Sequence, residues 1–293
     1  MTSTCQDLLY VRKYALFMRQ ITGFIQSYSR KARDQIIEAG RKILREACIE
    51  GIDNELFACV DELIKNAVKA NYKFLLLREK IAENFKRIWP HKSDAEIEQD
   101  INDLLKFPES FNRLAVEILH EENLSGMVRR ILNEEAQLLE IKNRSYLERR
   151  SYTKEEEARL QRLRHINSIR ARIKERGIKI ILKIQSDEHF IYIEVTNTAP
   201  ILVRDLERIH EKREEHERYK NEGREHEFFI HNLDESESGF GLGYAKIDAI
   251  LSSWGLVPQR AVTIISSINT TVMLTLPIED LSEAISKRQP VTN

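Results

Sequence analysis

The stretch GFGLGYAKIDAIL, Gly239–Leu251, decides how the rest of the chain is read. Three glycines at alternate positions lead into apolar residues at helical spacing, so a glycine-rich backbone runs into a helix N-terminus. Such a junction offers free N–H groups and the positive end of the helix dipole, a setting suited to phosphate. Four of the chain's ten glycines (Gly239, Gly241, Gly243 and Gly255) fall between positions 239 and 255. That concentration points to a backbone-lined site rather than to general looseness. A dinucleotide fold would place its glycines between the first strand and helix of a βαβ unit. Here they follow a charged segment late in the chain, and that reading fits poorly.

Working outward, the spacing of Leu56, Val60, Leu63, Ile64 and Ala67 predicts a helix over about 54–85, capped by Asp53 or Asn54 and stopped at Trp89-Pro90. It carries Glu62-Leu-Ile-Lys-Asn66-Ala67. Glu62 and Asn66 are four apart and stand on one helix face. A carboxamide oxygen there can bind Mg²⁺, and a carboxylate one turn away can orient or deprotonate a water. Lys65 and Lys69 lie on adjacent faces. In isolation the same spacing occurs on any amphipathic helix. At Gly177 the period changes. Ile178, Ile180, Leu182 and Ile184 alternate, and a β-branched run, IYIEV, follows Ser186-Asp187-Glu188, which reads as a hairpin. Its second strand ends in Asn197-Thr-Ala199-Pro200-Ile201. A charged helix over 202–221 follows, and after the glycines come strands at about 261–268 and 271–276.

The order of these parts is specific. ExxxN on a helix, a strand ending in an Asn turn, a charged lid, GFGLG before a helix and then NTTVMLTLP (Asn269–Pro277) together resemble the GHKL superfamily, the histidine-kinase-like ATPases. The likeness covers about 54–75 and 178–278. It implies an α+β fold, a two-layer sandwich holding nucleotide under a flexible lid, here with N-terminal helices and a large helical insertion. It implies ATP or ADP with Mg²⁺ as ligand. Asn66 is then the metal ligand and Glu62 the catalytic partner. Lys69, Gly239, Gly241, Leu242 and Gly243 lie along the phosphates, and Asn197 and Thr270 at the adenine end. The family's adenine-recognising Asp-x-Gly-x-Gly is replaced by Asn197-Thr-Ala199-Pro200-Ile201. An Asn oxygen accepts the adenine amino group without charge assistance, which costs about 1–2 kcal/mol. All eight His follow Asn66, so the chain's first 50 residues contain no phospho-accepting histidine, which argues against a conventional two-component kinase.

The resemblance implies a bacterial signalling protein, and the composition is that expected of a soluble chain. Forty-six basic residues face 47 acidic ones, for a net charge of −1, which gives no general surface for nucleic acid. Ten Gly and 6 Pro exclude a loop-rich all-β plan, and 3 widely spaced Cys give neither a disulfide scaffold nor a zinc site, as expected in the cytoplasm. No apolar run reaches membrane-spanning length, and no secretory signal is expected. The pattern divides the chain into N-terminal helices (1–52), a discontinuous nucleotide-binding domain (53–90 and 177–282), a helical insertion (91–176) and a flexible tail (283–293). In the insertion, Ser93 with Glu96 and Thr153 with Glu156 are capping boxes, and the second opens a helix running through Ile173. Residues 144–176 hold 11 basic against 5 acidic side chains, which reads as a solvated helix face or, functionally, as a docking surface for an acidic partner or nucleic acid. His210, His216, His226 and His231 are too irregularly spaced for a metal site and read as exposed lid residues. The expected function is a nucleotide-dependent sensor or interaction switch with a protein partner on the insertion, compatible with a homodimer. The alternative is an active Mg-ATP-dependent ATPase or protein kinase.

Overall fold

The computed structural model describes residues 19–25, 28–121, 123–235 and 242–288. The elements run β1 (Arg19–Ile25), α1 (Arg30–Glu46), α2 (Asp53–Ile88), α3 (Asp94–Leu104), α4 (Pro108–Glu121), α5 (Leu124–Leu147), α6 (Lys154–Arg162) and α7 (Arg164–Glu175). They continue with β2 (Ile180–Ser186), β3 (Phe190–Asn197), α8 (Val203–Asn221), α9 (Glu225–Glu235), α10 (Leu242–Ser253), α11 (Pro258–Ala261), β4 (Val262–Ser266), β5 (Thr270–Pro277) and α12 (Ile278–Arg288). The strands form one antiparallel sheet in the order β1-β2-β3-β5-β4. The class is α+β.

Strand alternation builds the first core. Leu182, Val195 and Val272 lie in one cross-strand row, and Ile184, Ile193 and Leu274 in the next. All six point to the same face and are buried there against Ile36 and Ile43 of α1, Leu56, Leu63 and Ile64 of α2, and Ile247 and Leu251 of α10. Gly40 permits the close approach of α1 to α2, since a Cβ there would sit 2.6 Å from the Phe57 ring.

α2 spans 36 residues, about 54 Å at 1.5 Å per residue, and serves two cores. Its first half packs on the sheet. Its second half supplies Tyr72, Leu75, Leu77 and Ile81 to a second cluster with Ile97, Ile101, Phe111, Ile118, Leu138 and Ile166 of the insertion. That cluster extends to Ala199 and Leu202, in the segment that follows β3. The insertion therefore packs on the connection leading to α8.

Several expectations are corrected. Residues 19–25 are an edge strand, not helix, with Ile21 opposite Ile184 and Ile25 opposite Ile180. The hydrogen-bonding edge of β2 outweighs local spacing, and Ile25 faces the core while Phe24 lies on the exposed face. Leu9, Tyr14 and Phe17 of the expected first helix lie outside the described residues. Ile52 occupies the N-cap position of α2 without a side-chain cap bond, and Asp53 and Asn54 instead accept from Arg41. The helix opened by Thr153 breaks at buried Leu163 into α6 and α7. Residues 283–288 belong to α12, whose Leu281 and Ala284 are buried and whose Arg288 pairs with Glu55; 289–293 lie outside the described residues. Both capping boxes form. Among the described residues no helix is long and apolar enough to cross a membrane.

Candidate functional site

A cleft opens between α2 and the ends of β3 and β5. Leu63, Ala67, Ala70, Phe74 and Leu77 form one wall; Val195, Asn197, Thr270 and Val272 form the other. Pro200, Ile201 and Leu202 close it with Asp205 and Ile209 of α8, and Tyr244 of α10 lines it too. Apolar walls with a few placed polar groups are what a small-molecule site needs.

Asn66 lines this cleft. Its Oδ1 and Nδ2 are both buried with no hydrogen-bond partner among the described residues. An unsatisfied buried amide costs about 1–3 kcal/mol, and its retention calls for an explanation. Glu62 lies one turn away on the same helix face. Gly243, in the first turn of α10, seats directly against both: a Cβ there would fall on Glu62 Oε1 and 2.8 Å from Asn66 Nδ2. Glu62 and Asn66, neighbours on α2, thus meet Gly243 from far along the chain. Leu242 begins α10. Gly239 and Gly241 lie outside the described residues.

Lys69 is one turn past Asn66. Burial holds its pKa below the usual lysine range; Glu62 works against that shift, and the nearby Lys246 and Lys65 add to it. Lys69 thus sits within the electrostatic reach of Glu62, Lys65 and Lys246. Lys65 also pairs with Asp61 at 2.6 Å.

The other end of the cleft is held by backbone contacts. Asn197 Nδ2 donates to the Ala67 carbonyl (3.3 Å), and its Oδ1 accepts the Ala199 N–H (3.1 Å). Thr270, opposite Asn197 in register, donates its hydroxyl to the Ala199 carbonyl (2.9 Å). Asn197 and Thr270 are buried, and together they pin the turn that leads to α8.

The lid segment is a helical hairpin. Arg213 of α8 makes a buried bidentate pair with Asp248 of α10, at 2.7 and 2.9 Å. His216 corrects an expectation: it is buried, not exposed, bonded to Glu225 (2.8 Å) and packed edge-on against Phe228. His210, His226 and His231 are exposed. Among the described residues no cluster of three His, Cys, Asp or Glu side chains forms a metal site.

Two cleft residues escaped the sequence reading. Lys73 and Asp205 form an ion pair at 2.6 Å, with side chains 10% and 16% exposed. Lys73 continues the face of Glu62, Asn66 and Lys69, so its spacing was a usable signal; Asp205 offered none.

No family model, curated protein or solved structure matches the chain.

Proposed function

We propose that the chain is a nucleotide-binding switch of the GHKL kind, taking ATP or ADP with Mg²⁺ in the cleft beside α2. The carrying observation is the buried, unpartnered carboxamide of Asn66, against which Gly243 leaves no room for a side chain. That amide oxygen is a fitting Mg²⁺ ligand, since a hard cation prefers oxygen donors and shares them with phosphate. Lys69 and the glycine-rich approach to α10 (Gly239, Gly241, Leu242, Gly243) suit the phosphates. The apolar walls, with Asn197 and Thr270, suit a base. When bound, Mg²⁺ neutralises phosphate charge, and Glu62 is placed to orient a water. Because the second core joins the insertion to the segment entering α8, occupancy of the cleft biases the surface a protein partner meets.

A calorimetric titration with ATP and ADP, with and without Mg²⁺, tests this reading. Saturable binding is expected, with an Mg²⁺ dependence that Asn66→Ala removes. Wild-type protein that binds neither nucleotide at millimolar concentration overturns it. Glu62 keeps a hydrolytic reading alive; phosphate release that Glu62→Ala abolishes would make the protein an ATPase rather than a sensor.

A further inference from the structure

At the base end of the cleft, no charge comes from the position where the resemblance expects one. Asn197 stands there, neutral, with its oxygen accepting the Ala199 N–H and its amide donating to Ala67. The Thr270 hydroxyl is directed at Ala199. Among the described residues, the charged side chains lining this cleft are Lys73 and Asp205, joined at 2.6 Å between α2 and the first turn of α8. Around them the walls are Phe74, Leu77, Pro200 and Leu202. A water-poor apolar setting strengthens any hydrogen bond made to these groups.

The contact between them does not by itself use the full capacity of either group. A carboxylate has about four acceptor sites and an ammonium three donors. Side by side, the pair presents an acceptor next to a donor. The adenine edge presents the complement: the exocyclic amino group donates, and the adjacent ring nitrogen accepts.

We propose that Asp205 and Lys73 read the base, Asp205 accepting the adenine amino group and Lys73 donating to the neighbouring ring nitrogen. This rests on the nucleotide reading of the cleft. It moves recognition from the strand end to the lid, so that base binding itself holds the first turn of α8 against α2.

The test compares ATP with purine riboside triphosphate, which lacks only the amino group, by calorimetry on the full chain. Wild type is expected to bind ATP about tenfold tighter, the size of a hydrogen bond to an ionised acceptor. Asp205→Asn is expected to shrink that ratio severalfold, and Asp205→Glu to retain most of it. The double variant Lys73→Gln/Asp205→Asn removes both charges of the pair together; it serves if Asp205→Asn alone fails to fold, and the same loss of ratio is expected. An unchanged ratio, with both ligands weakened alike, overturns the proposal and makes the pair a latch only. Wild type that binds neither ligand overturns the nucleotide reading together with it.

Discussion

The carboxamide oxygen of Asn112, on α4 of the insertion, accepts the backbone N–H of Val203 at 3.0 Å, 91 positions further along the chain. Val203 opens α8, where the N-cap residue Leu202 offers no side-chain cap. The first N–H groups of a helix have no partner within it, and here one is satisfied from another helix. Asn112 is itself oriented by its own helix, donating to the Pro108 carbonyl at 2.8 Å. The insertion thus touches the lid at the turn that also carries Asp205.

Asn112→Ala is expected to cost about 1 kcal/mol, the usual value of a lost cap, and to speed amide exchange over 203–206. Asn112→Asp keeps an acceptor and adds favourable charge at a helix N-terminus, so it should exchange like wild type. Hydrogen exchange read by mass spectrometry decides the matter. Unchanged exchange in the Ala variant would mean that this contact does not hold the lid.

Glu156 gives a pH-dependent prediction. Its carboxylate accepts two bonds from Arg150, at 2.7 and 2.8 Å, and the Thr153 N–H at 2.9 Å. The Arg150 bonds first, and the capping N–H second, hold its pKa down at about 2, against an ordinary 4.5. A depressed carboxylate stabilises the fold fully above the ordinary value and loses that contribution as pH falls through the folded one. The melting temperatures of wild type and Glu156→Gln should therefore differ most above pH 4.5 and converge toward pH 2. A gap independent of pH would show that the charge contributes nothing.

The basic run Arg144–Arg176 is not one uniform surface. Arg170 donates from Nε to buried Glu135 at 2.8 Å, and Arg172 and Arg176 both reach Glu79 on α2. Arg159 and Arg162 are exposed. Arg170→Ser should cost about 3 kcal/mol by leaving Glu135 buried without its cation. Arg159→Ser and Arg162→Ser should each lie within about 0.5 kcal/mol of wild type. Urea melts measure the difference. If an acidic protein partner binds this face, replacing the exposed pair weakens its capture and added salt does the same. Arg170→Ser melting like wild type would contradict the structural assignment.

What was legible in the sequence was local. The β2–β3 hairpin, the β4–β5 pair, both capping boxes and the helical face of Glu62 and Asn66 follow from periodicity and turn chemistry within a few residues. β1 was not legible, because its helical spacing is overridden only once β2, some 160 positions away, offers an edge. Lys73–Asp205 bridges 132 positions, and His216 is covered by Phe228 from the following helix. Such partners are set by the fold, not by neighbours in the chain. Asn197 shows the same limit from the other side: its residue type suggested a ligand contact, while its bonds to Ala67 and Ala199 give it a structural task as well.

Gly243→Ala separates stability from binding. The atoms a Cβ would meet, Glu62 Oε1 and Asn66 Nδ2, are the ends of side chains, so they can swing aside. Their displacement offsets a gain of about 1 kcal/mol from replacing Gly by Ala in a helix. The net change in melting temperature should be small. The cost should fall instead on the site, since both groups proposed to meet Mg²⁺ and water are pushed from their places. Affinity for Mg-ATP is expected to drop tenfold or more, an amount equal to about 1.4 kcal/mol. Glu62→Ala removes the clash with Oε1 but leaves the contact with Asn66, so adding it to Gly243→Ala should not restore Mg²⁺ dependence. The pair of measurements is a thermal melt and a titration on the same sample. A Gly243→Ala protein that melts like wild type and binds Mg-ATP equally well would remove Glu62 and Asn66 from the site.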